Sequence, residues 1–446
     1  MSNYDDWRSI IHVAIVHPSE PAFLVERAGD AWRLPTLPVE RMWEKPVSSV
    51  NEAARATLGL ETIALQKIYG FRDDANKIGY RLYALENHSP RWQPPAGMRW
   101  AGADELDRLE WALPDQRPAL ESWLGELAPG AAPPLRPPWA RPGWYAAASA
   151  WIADELGRLG LEPAGWPEQV KSWSLSCILR APTAGGPVYF KVTNPSGLMA
   201  NEAVVTAGLA ELFPDVLPRL LATRPDQGWM LLADFGQEIG WEGASDIRAA
   251  ALREFARLQQ RSARHLDELL EIGVIDRRLP VLAAQLDGLL ADELAMGYVD
   301  EQPRRELRAA APALKELCAR LERYAVPMTL VHGDIHMANV APQADGFIFF
   351  DWTDACLSHP FMDAIDILHE EDAAVAARLR DSYLAMWAEY EPAERLEEMW
   401  RIARPLCALH QAVSYASILA NTEDRNQDEF KGAMGLWVGK VLEGLT

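Results

Sequence analysis

A proline-rich segment constrains the possible folds of this chain more than any other feature. The segment "APGAAPPLRPPWARPG" spans residues 128–143, and six of its sixteen residues are proline. Proline cannot occupy a helix interior, and proline-rich segments tend to run extended as semi-rigid spacers. The segment is therefore predicted to be a linker between an N-terminal domain, residues 1–127, and a longer C-terminal part.

The overall charge limits the classes of partner. The 446 residues carry 43 Lys and Arg against 64 Asp and Glu, a net charge of −21. Binding to nucleic acid needs a basic surface, so a nucleic-acid partner is not expected. An acidic cleft would attract a cationic small substrate. Surface solubility explains the same excess equally well.

The chain is expected to be cytoplasmic and reduced. Its N-terminus shows no secretory signal, and no apolar run approaches the roughly 18 residues that a membrane span needs. The four cysteines are far apart and form no CxxC pair, which favours free thiols: Cys177, Cys318, Cys356 and Cys407. The oligomeric state cannot be predicted.

The first 127 residues read as an α/β domain. "HVAIVH", "AFLVER" and "YRLYALE" are typical of strands, and "SSVNEAARATLGL" is typical of a helix with Ser49 as its cap and Gly59 as its stop. This order, together with "AWRLPTLPVE", resembles the Nudix hydrolase fold. An unrelated α/β domain with the same element order is the alternative.

The resemblance implies a catalytically inactive Nudix-like domain. With the glycine of the Nudix helix pattern aligned on Gly59, its metal-binding glutamates fall on Ala53, Ala56 and Thr57. Alanine cannot ligate Mg²⁺, which needs oxygen ligands. A binding, sensing or docking role is therefore expected.

The C-terminal part is predicted to have two lobes. Residues 144–236 begin with a helix and continue with strands such as "PVYFKVT", whereas residues 237–446 read mainly as helices. Lys191 is the one charge in an apolar strand, and Glu202 follows at the start of the next helix. A buried lysine is costly unless it meets an anion or an acidic partner. A surface lysine and a surface glutamate are the alternative.

One stretch combines the residue types that phosphoryl transfer needs. "HGDIHMAN" places Asp334 five residues before Asn339, and Asp351 follows the apolar run "FIFF". Asp334 can orient or accept the proton of an acceptor hydroxyl, while Asn339 and Asp351 offer oxygen ligands to Mg²⁺. "APQADG" has turn composition, so a short hairpin is expected to bring Asn339 and Asp351 together. The alternative is a polar hairpin between two core strands.

This stretch closely resembles the catalytic and metal loops of the aminoglycoside phosphotransferase and choline kinase-like family. The resemblance covers about residues 144–445. It implies an α+β, bilobal protein-kinase-like fold and the use of ATP or GTP with Mg²⁺. It further implies Asp334 as the catalytic base, Asn339 and Asp351 as metal ligands, and Lys191 as the phosphate-binding lysine paired with Glu202.

Supporting residues are assigned in the same way. The resemblance implies that His332 braces the catalytic loop, and Asp363 is expected to cap or brace helices of the C-terminal lobe. His336 either braces the loop or touches substrate or phosphate.

The literal "DFG" at Asp234 precedes the catalytic loop, so it is assigned to the hinge rather than to a metal site. Met230, Leu231 and Leu232 are expected near adenine, and Asp234 either faces the nucleotide or ends a strand. No glycine-rich GxGxxG precedes Lys191. The phosphate loop is expected at "KSWSLS", with Ser174 or Ser176 as donors, or at "APTAGG".

The sequence thus predicts a small-molecule kinase, with the acceptor bound between about Asp354 and Tyr415. Several acidic and histidine side chains in that region would suit an aminoglycoside or another amine: Asp354, Asp366, His369, Glu370, Glu371, Asp372 and His410. A solvated acidic helix face is the alternative. The other functional hypotheses are a non-catalytic nucleotide-binding regulator and a Nudix-type pyrophosphohydrolase.

Overall fold

The computed structural model describes residues 7–39, 47–128, 130–194, 197–199 and 201–446. Glu40, in the segment compared with Nudix hydrolases, and Pro129, in the linker, lie outside these ranges. Contacts group the chain into two compact units, Met1–Lys191 with Glu423–Arg425 and Val192–Thr422 with Asn426–Thr446. The domain limits at 127, 143 and 236 stay predictions.

The first unit combines a large sheet, a small sheet and three helices. The strands of the large sheet are Arg8–Val16 (β1), Ala22–Ala28 (β2), Ala31–Arg33 (β3), Thr36–Leu37 (β4), Thr62–Asp73 (β5), Ile78–Asn87 (β6), Met98–Gly102 (β7) and Leu109–Glu110 (β8). The remaining elements are the strands Glu168–Ser172 (β9), Ser176–Ala181 (β10) and Val188–Thr193 (β11), and the helices Ser48–Leu58 (α1), Gln116–Gly125 (α2) and Trp144–Leu159 (α3). Strand β11 crosses the boundary between the units.

The large sheet has a helix on each face. Its strand order is β5-β6-β1-β2-β3-β8, with β4 paired to β1 and β7 paired to β2. Strand β1 lies parallel to β6, whereas β5 and β2 are antiparallel to their neighbours β6 and β1. Alternate residues of β1 enter different cores. Ile11 and Val13 pack with Val50 of α1, whereas Ala14 packs with Trp123 of α2.

The predicted helix α1 is confirmed, but its predicted cap is wrong. Val47 is the N-cap residue and makes no side-chain cap hydrogen bond, so Ser49 lies inside the first turn. Gly59 ends the helix as predicted, in the left-handed conformation at φ 66°. The backbone N–H of Gly59 donates to the carbonyl oxygen of Arg55 at 2.9 Å. This is the C-terminal role for which glycine is favoured.

The proline-rich linker is not a free spacer. Arg136 and Trp139 are only 3% and 1% exposed. The indole of Trp139 donates to the backbone carbonyl of Trp173 at 2.8 Å, and residues Pro138–Ala140 form one 3₁₀ turn. Proline fixes the backbone here, but the buried side chains between the prolines anchor the segment to the first unit.

The second unit is mainly helical. Its helices are Glu202–Leu212 (α4), Ser245–Ser262 (α5), Leu266–Glu271 (α6), Leu279–Ala291 (α7), Glu293–Gly297 (α8), Glu301–Leu321 (α9), Ile365–His369 (α10), Ala373–Leu384 (α11), Ala393–Ala420 (α12) and Lys431–Leu445 (α13). Its strands are Leu220–Arg224 (β12), Trp229–Ala233 (β13), Ile275–Asp276 (β14), Thr329–Val331 (β15), Val340–Gln343 (β16), Gly346–Phe349 (β17) and Cys356–Ser358 (β18). None of the helices in the described ranges has the length and apolar character that a membrane crossing requires.

Helix α12 forms the centre of the second unit. Cys407, Leu409 and Ala412 lie on different sides of this helix and all are buried. A helix that is apolar around its circumference belongs inside a core. Around it, the short strands β14, β18 and β15 form one sheet, and β16 and β17 form a separate hairpin. The mixture of an α/β part and a largely helical part confirms the predicted α+β class.

Candidate functional site

The catalytic stretch forms a loop between β15 and β16. Residues His332–His336 have no regular structure, and Met337–Asn339 form one 3₁₀ turn before β16 begins. Asp334 lies in the loop with its side chain 42% exposed. Its backbone carbonyl accepts a hydrogen bond from Nδ2 of Asn339 at 2.9 Å. The loop therefore presents a carboxylate to solvent while its backbone is held from within.

His332 is a buried, neutral brace for this loop. Burial lowers the pKa of His332 to about 4, so its imidazole is neutral at neutral pH and only one of the two ring nitrogens carries a hydrogen. The backbone N–H of Asp334 lies 3.3 Å from Nδ1, and Nε2 lies 2.9 Å from the carbonyl oxygen of Phe350. A carbonyl can only accept, so Nε2 carries the hydrogen and Nδ1 accepts. This geometry supports the predicted bracing role.

Asp363 binds the loop backbone directly. Its carboxylate accepts from the backbone N–H groups of His332 at 2.8 Å and of Gly333 at 2.9 Å. Gln259 of α5 donates to the same carboxylate at 3.0 Å. Burial raises the pKa of Asp363 to about 7, against these hydrogen bonds, which favour the anion. The predicted brace therefore acts on the catalytic loop rather than on a helix end.

Gly333 is required where the loop turns. Its φ is +82°, and a β-carbon there would collide with the backbone carbonyl and β-carbon of Asp354. The carbonyl of Gly333 accepts from Nε2 of Gln411 on α12 at 2.6 Å. Only glycine combines this conformation with so close an approach.

The predicted hairpin between Asn339 and Asp351 is confirmed. Strands β16 and β17 pair antiparallel with Val340 opposite Phe349, and the carbonyl of Asn339 accepts from the backbone N–H of Phe350 at 3.1 Å. The two candidate metal ligands therefore lie at the same end of the hairpin. Since Nδ2 of Asn339 is used by the loop, its Oδ1 is the atom left to coordinate a cation.

Asp351 has an unusual backbone. It is left-handed at φ 69° and ψ 60°, outside the regions that most non-glycine residues occupy. The Thr353 hydroxyl lies 3.1 Å from Oδ1 of Asp351 and 3.3 Å from Oδ2 of Asp354. A conformation of this kind costs free energy and persists where the surroundings enforce it, which is frequent at functional sites. Both carboxylates lie close enough to Asp334 for their charges to interact with it.

The charge of Asp334 is stabilised by its neighbours. Burial acts to raise the pKa of Asp334, but the nearby His336 and His332 outweigh it and the net pKa lies below the usual value. Nε2 of His336 is 3.5 Å from Oδ2 of Asp334 and 3.4 Å from Nδ2 of Asn339. Asp334 is therefore ionised at neutral pH, as a residue that receives a proton must be.

The pKa of Asp354 is raised, whereas that of Asp334 is lowered. Burial raises its pKa to about 7, the negative charge of Asp334 acts in the same direction, and the buried Arg277 opposes both. The guanidinium of Arg277 donates to the Ser414 hydroxyl at 2.7 Å and to the His410 carbonyl at 3.0 Å. His410 is fully buried and neutral, because burial holds its pKa well below the usual value. Arg277 was not recognised from the sequence, where it is one arginine among many.

Several of the other candidate acceptor residues form ion pairs or hydrogen bonds within the protein. Arg248 of α5 donates from Nε and Nη2 to Oδ2 of Asp366, at 3.2 Å and 3.0 Å, and from Nη1 to Glu370. Burial lowers the pKa of His369 to about 4, so it is neutral. Asp372 caps α11 by accepting from Ala374 and Val375. The acidic density seen in the sequence is therefore partly neutralised, and no local sequence pattern predicts this pairing.

The candidate phosphate loop is a tight hairpin turn in the first unit. Strands β9 and β10 pair with Ser172 opposite Cys177, so Trp173–Leu175 form the turn. Ser174 is buried, and the hydroxyl of Ser176 accepts from the indole of Trp173 at 2.8 Å. The alternative turn "APTAGG" joins β10 to β11.

The remaining nucleotide candidates occupy separate units. Lys191 is buried inside β11, two residues before the strand ends, and Glu202 begins α4 and is also buried. Their predicted pairing stays a prediction. Met230 and Leu232 pack in one core cluster with Ala203, and Asp234 accepts from the backbone N–H of Gly236 at 2.9 Å. Asp234 therefore at least stabilises a local turn.

A cation at this site depends on Asn339 as well as on carboxylates. Among the described residues, no group of three His, Cys, Asp or Glu side chains could hold a metal ion by itself. Mg²⁺ often takes only one or two protein ligands, with phosphate and water completing its shell. The pair Asn339 and Asp351 fits that pattern.

The segment that carries this site is similar to a known protein family. Residues 184–396 match the family model described as "Phosphotransferase enzyme family" (APH). The match covers just under half of the chain and supports the prediction of a phosphotransferase. The match does not extend to the first 127 residues, so the Nudix resemblance there stays a prediction.

Several solved structures are similar to the chain. A macrolide 2'-phosphotransferase type I is 16% identical and covers 65% of this chain and 97% of its own, with a TM-score of 0.45. A choline/ethanolamine kinase family protein from Mesorhizobium loti is 17% identical, covers 67% and 98%, and has a TM-score of 0.47. The choline kinase LicA from Streptococcus pneumoniae is 13% identical, covers 67% and 99%, and has a TM-score of 0.48. A search of curated proteins finds no match.

Proposed function

We propose that this phosphotransferase moves the terminal phosphate of ATP or GTP to a hydroxyl group of a small molecule in a Mg²⁺-dependent reaction. The observation that carries the proposal is the convergence of Asp334, Asn339 and Asp351 at one end of a hairpin. Phosphoryl transfer depends mainly on positioning and on charge stabilisation, so a rigid loop with one exposed carboxylate suits it.

Asp334 acts on the acceptor. Its carboxylate is ionised and partly exposed, so it can accept a hydrogen bond from the acceptor hydroxyl and take its proton as the new P–O bond forms. Asp363 and His332 act indirectly: they hold the loop that carries Asp334 by accepting hydrogen bonds from its backbone N–H groups.

Asn339 and Asp351 would hold Mg²⁺ through Oδ1 and a carboxylate oxygen. When bound, the ion neutralises charge on the β- and γ-phosphates. The Thr353 hydroxyl orients the Asp351 carboxylate toward this position.

The nucleotide is assigned to the residues named from the family pattern. Lys191 binds phosphate with Glu202 as its partner, Ser174 and Ser176 present the β9–β10 turn, and the backbone near Met230 and Leu232 meets adenine. The four cysteines are buried and free, which suits the reducing cytoplasm in which we place the enzyme.

The acceptor is a small molecule. Proteins similar to this chain are named as kinases or phosphotransferases of choline, ethanolamine, macrolides, spectinomycin and kanamycin-type aminoglycosides. These compounds form the rational test panel. Asp354, His369 and Glu370 are the residues that we assign to the acceptor.

The test is Mg²⁺-dependent consumption of ATP and GTP in the presence of each compound. Loss of a general base typically costs about 10²-fold to 10⁴-fold in rate, so Asp334→Asn should abolish stimulated turnover. Asp345→Asn is the matched control, since Asp345 is an exposed aspartate in the β16–β17 turn.

The outcome also separates the rival functions. Tight nucleotide binding without turnover for any compound would favour a non-catalytic regulator. Pyrophosphate hydrolysis that survives Asp334→Asn would favour a Nudix activity. Helix α1 carries alanine or threonine at the expected ligand positions, so the Nudix result is not expected. The presence of Asp334, Asn339 and Asp351 argues against a non-catalytic regulator.

A further inference from the structure

Trp241 is fixed beside the catalytic loop yet remains half exposed. Its ring is 50% accessible, one of few large apolar side chains exposed to that degree in the described structure. The segment that carries it is bound to the loop by backbone hydrogen bonds. Ile239 donates to the Val340 carbonyl at 2.8 Å, and Gly240 donates to the Met337 carbonyl at 3.0 Å. These hydrogen bonds hold the backbone just before Trp241 against the catalytic loop.

The indole lies one side chain away from the catalytic carboxylate. Its ring centroid is 4.2 Å from that of His336, with 30° between the planes. Nε2 of His336 is in turn 3.5 Å from Oδ2 of Asp334. On another side, Trp241 meets the edge of His369 at 6.1 Å, and His369 meets Trp437 at 4.9 Å. These four rings, Trp241, His336, His369 and Trp437, form an aromatic wall.

The charges beside this wall have both signs. Arg248 binds both Asp366 and Glu370, one cation for two carboxylates. Nζ of Lys440 donates to the carbonyl of Leu368 at 2.6 Å, which places a second positive charge near His369. These charges therefore do not select between neutral and cationic ligands, and the exposed indole is the feature of this surface that selects one.

We propose that Trp241 is an acceptor-binding residue, and that the acceptor is a hydroxylated compound with a broad apolar or ring face. The inference rests on the proposed function and specifies its substrate class. An exposed indole gains by covering its face with a flat apolar surface, and Trp is characteristic of binding sites for this reason. Since only His336 separates the indole from Asp334, a compound bound on Trp241 lies beside the catalytic loop.

The rival role for Trp241 is structural. If the indole only holds His336 in place, its loss should lower kcat and leave the acceptor KM unchanged. If it binds the acceptor, its loss should raise the acceptor KM. Trp241→Phe keeps a stacking ring, whereas Trp241→Ala removes it. Trp166→Ala is the matched control, because Trp166 is 78% exposed and belongs to the first unit.

Binding is measured by calorimetry in the presence of Mg²⁺ and a non-hydrolysable nucleotide. The probes are erythromycin, a hydroxylated macrocycle with a broad apolar face, and kanamycin, whose faces are polar. Erythromycin should bind more tightly than kanamycin. Trp241→Ala should weaken its binding by about tenfold or more, as loss of a central aromatic anchor does, with a smaller change for Trp241→Phe and none for Trp166→Ala.

Tighter binding of kanamycin, absence of binding by both probes, or unchanged affinity in Trp241→Ala would each overturn the inference. Steady-state kinetics with any acceptor that supports turnover provide the second measurement. A rise in acceptor KM of about tenfold with an unchanged nucleotide KM supports the inference. A change confined to kcat or to the nucleotide KM contradicts it. Failure of the proposed function appears separately, as no turnover for any compound.

Discussion

Two buried arginines, one in each unit, hold carboxylates in different ways. In the first unit, Arg136 donates from Nε and Nη2 to Glu423, at 2.8 Å in each case, and also binds Glu126. Arg425 pairs with the same two glutamates, so the cluster has two positive and two negative charges. In the second unit, Arg248 alone faces Asp366 and Glu370.

The difference lies in what each cluster supports. The Arg136 cluster joins the linker, the end of α2 and strand β5, from which Gln66 donates to Glu423 at 3.0 Å. None of these three elements carries a candidate catalytic residue. Burial raises the pKa of Asp366, while Arg248 and, from the catalytic loop, His336 and the backbone of Met337 act to lower it, so the Arg248 cluster adjoins that loop. The same chemistry therefore stabilises a fold in one unit and a reactive loop in the other.

The largest effects are expected from removing either arginine. Arg248→Ala should lower the free energy of unfolding by roughly 3–5 kcal/mol, because the buried Asp366 loses its cationic partner. Arg136→Ala should lower it by less, because Arg425 still pairs with Glu126 and Glu423. At a temperature where both variants are folded, Arg136→Ala should keep its kcat, whereas Arg248→Ala should lose activity. Chemical unfolding and steady-state kinetics measure the two quantities.

The control is Arg378→Ala, which removes an exposed ion pair with Asp246. Exposed pairs contribute about 0–1 kcal/mol, so its stability should hardly change. Equal loss of kcat in the Arg136 and Arg248 variants would erase the distinction between the two clusters.

A second test addresses the loop without disturbing either arginine. Asp363→Asn keeps the side-chain size but turns one carboxylate oxygen into a donor that faces the backbone N–H groups of His332 and Gly333. The loop should shift, and misplacement by about 1 Å can cost roughly 10² in rate. We expect a corresponding fall in kcat with little change in nucleotide KM. Glu126→Gln, the equivalent change in the first unit, should leave kcat intact.

A third test concerns a neutral network in the first unit. The side chain of Gln169 on β9 both donates to the carbonyl of Ala64 and accepts from its N–H, at 2.9 Å each, where the β5–β6 pairing is irregular. Nδ2 of Asn51 donates to the same Gln169 oxygen at 3.0 Å. Gln169→Ala should cost about 1–3 kcal/mol in unfolding free energy, since buried backbone groups lose their partners.

Gln169→Glu tests the donated hydrogen bond separately from the accepted one. An ionised carboxylate can still accept from Ala64 but cannot donate to its carbonyl, so this nearly isosteric change should also destabilise the protein. Unfolding monitored by circular dichroism measures both variants. A neutral effect of Gln169→Glu would show that the donated hydrogen bond contributes nothing.

Local patterns predicted much of this structure. Periodicity indicated α1, α3 and the strands of both units, and the spacing around "APQADG" predicted the hairpin that joins Asn339 to Asp351. Those features depend on neighbours in sequence. The pairing of Arg248 with Asp366 joins residues 118 positions apart, and Gln169 meets Ala64 across 105. A single sequence holds no signal for such contacts, so the neutralised acceptor side and the stacked Trp241 could be found only in the structure.

The smallest expected effect is on the pH dependence of stability, and it comes from one buried histidine of the second unit. Burial lowers the pKa of His359, in the second unit, to about 3. Below about pH 6.5 the unfolded chain binds a proton that the folded state refuses, so stability falls as pH decreases from about 6.5 to about 3. The slope from this one group is about 1.4 kcal/mol per pH unit.

His359→Asn should remove that contribution while keeping an acceptor for the backbone N–H of Phe361, which lies 3.2 Å from Nδ1. Urea unfolding between about pH 6 and about pH 5 should then show a slope smaller by about 1.4 kcal/mol per unit than in the wild type. An unchanged slope would mean that His359 is protonated in the folded state. Because its ring packs against Phe361 at 4.9 Å in a fully buried position, that result would require the surrounding core to open at acidic pH. Acid sensitivity would then belong to the core of the second unit as a whole and not to one buried ring.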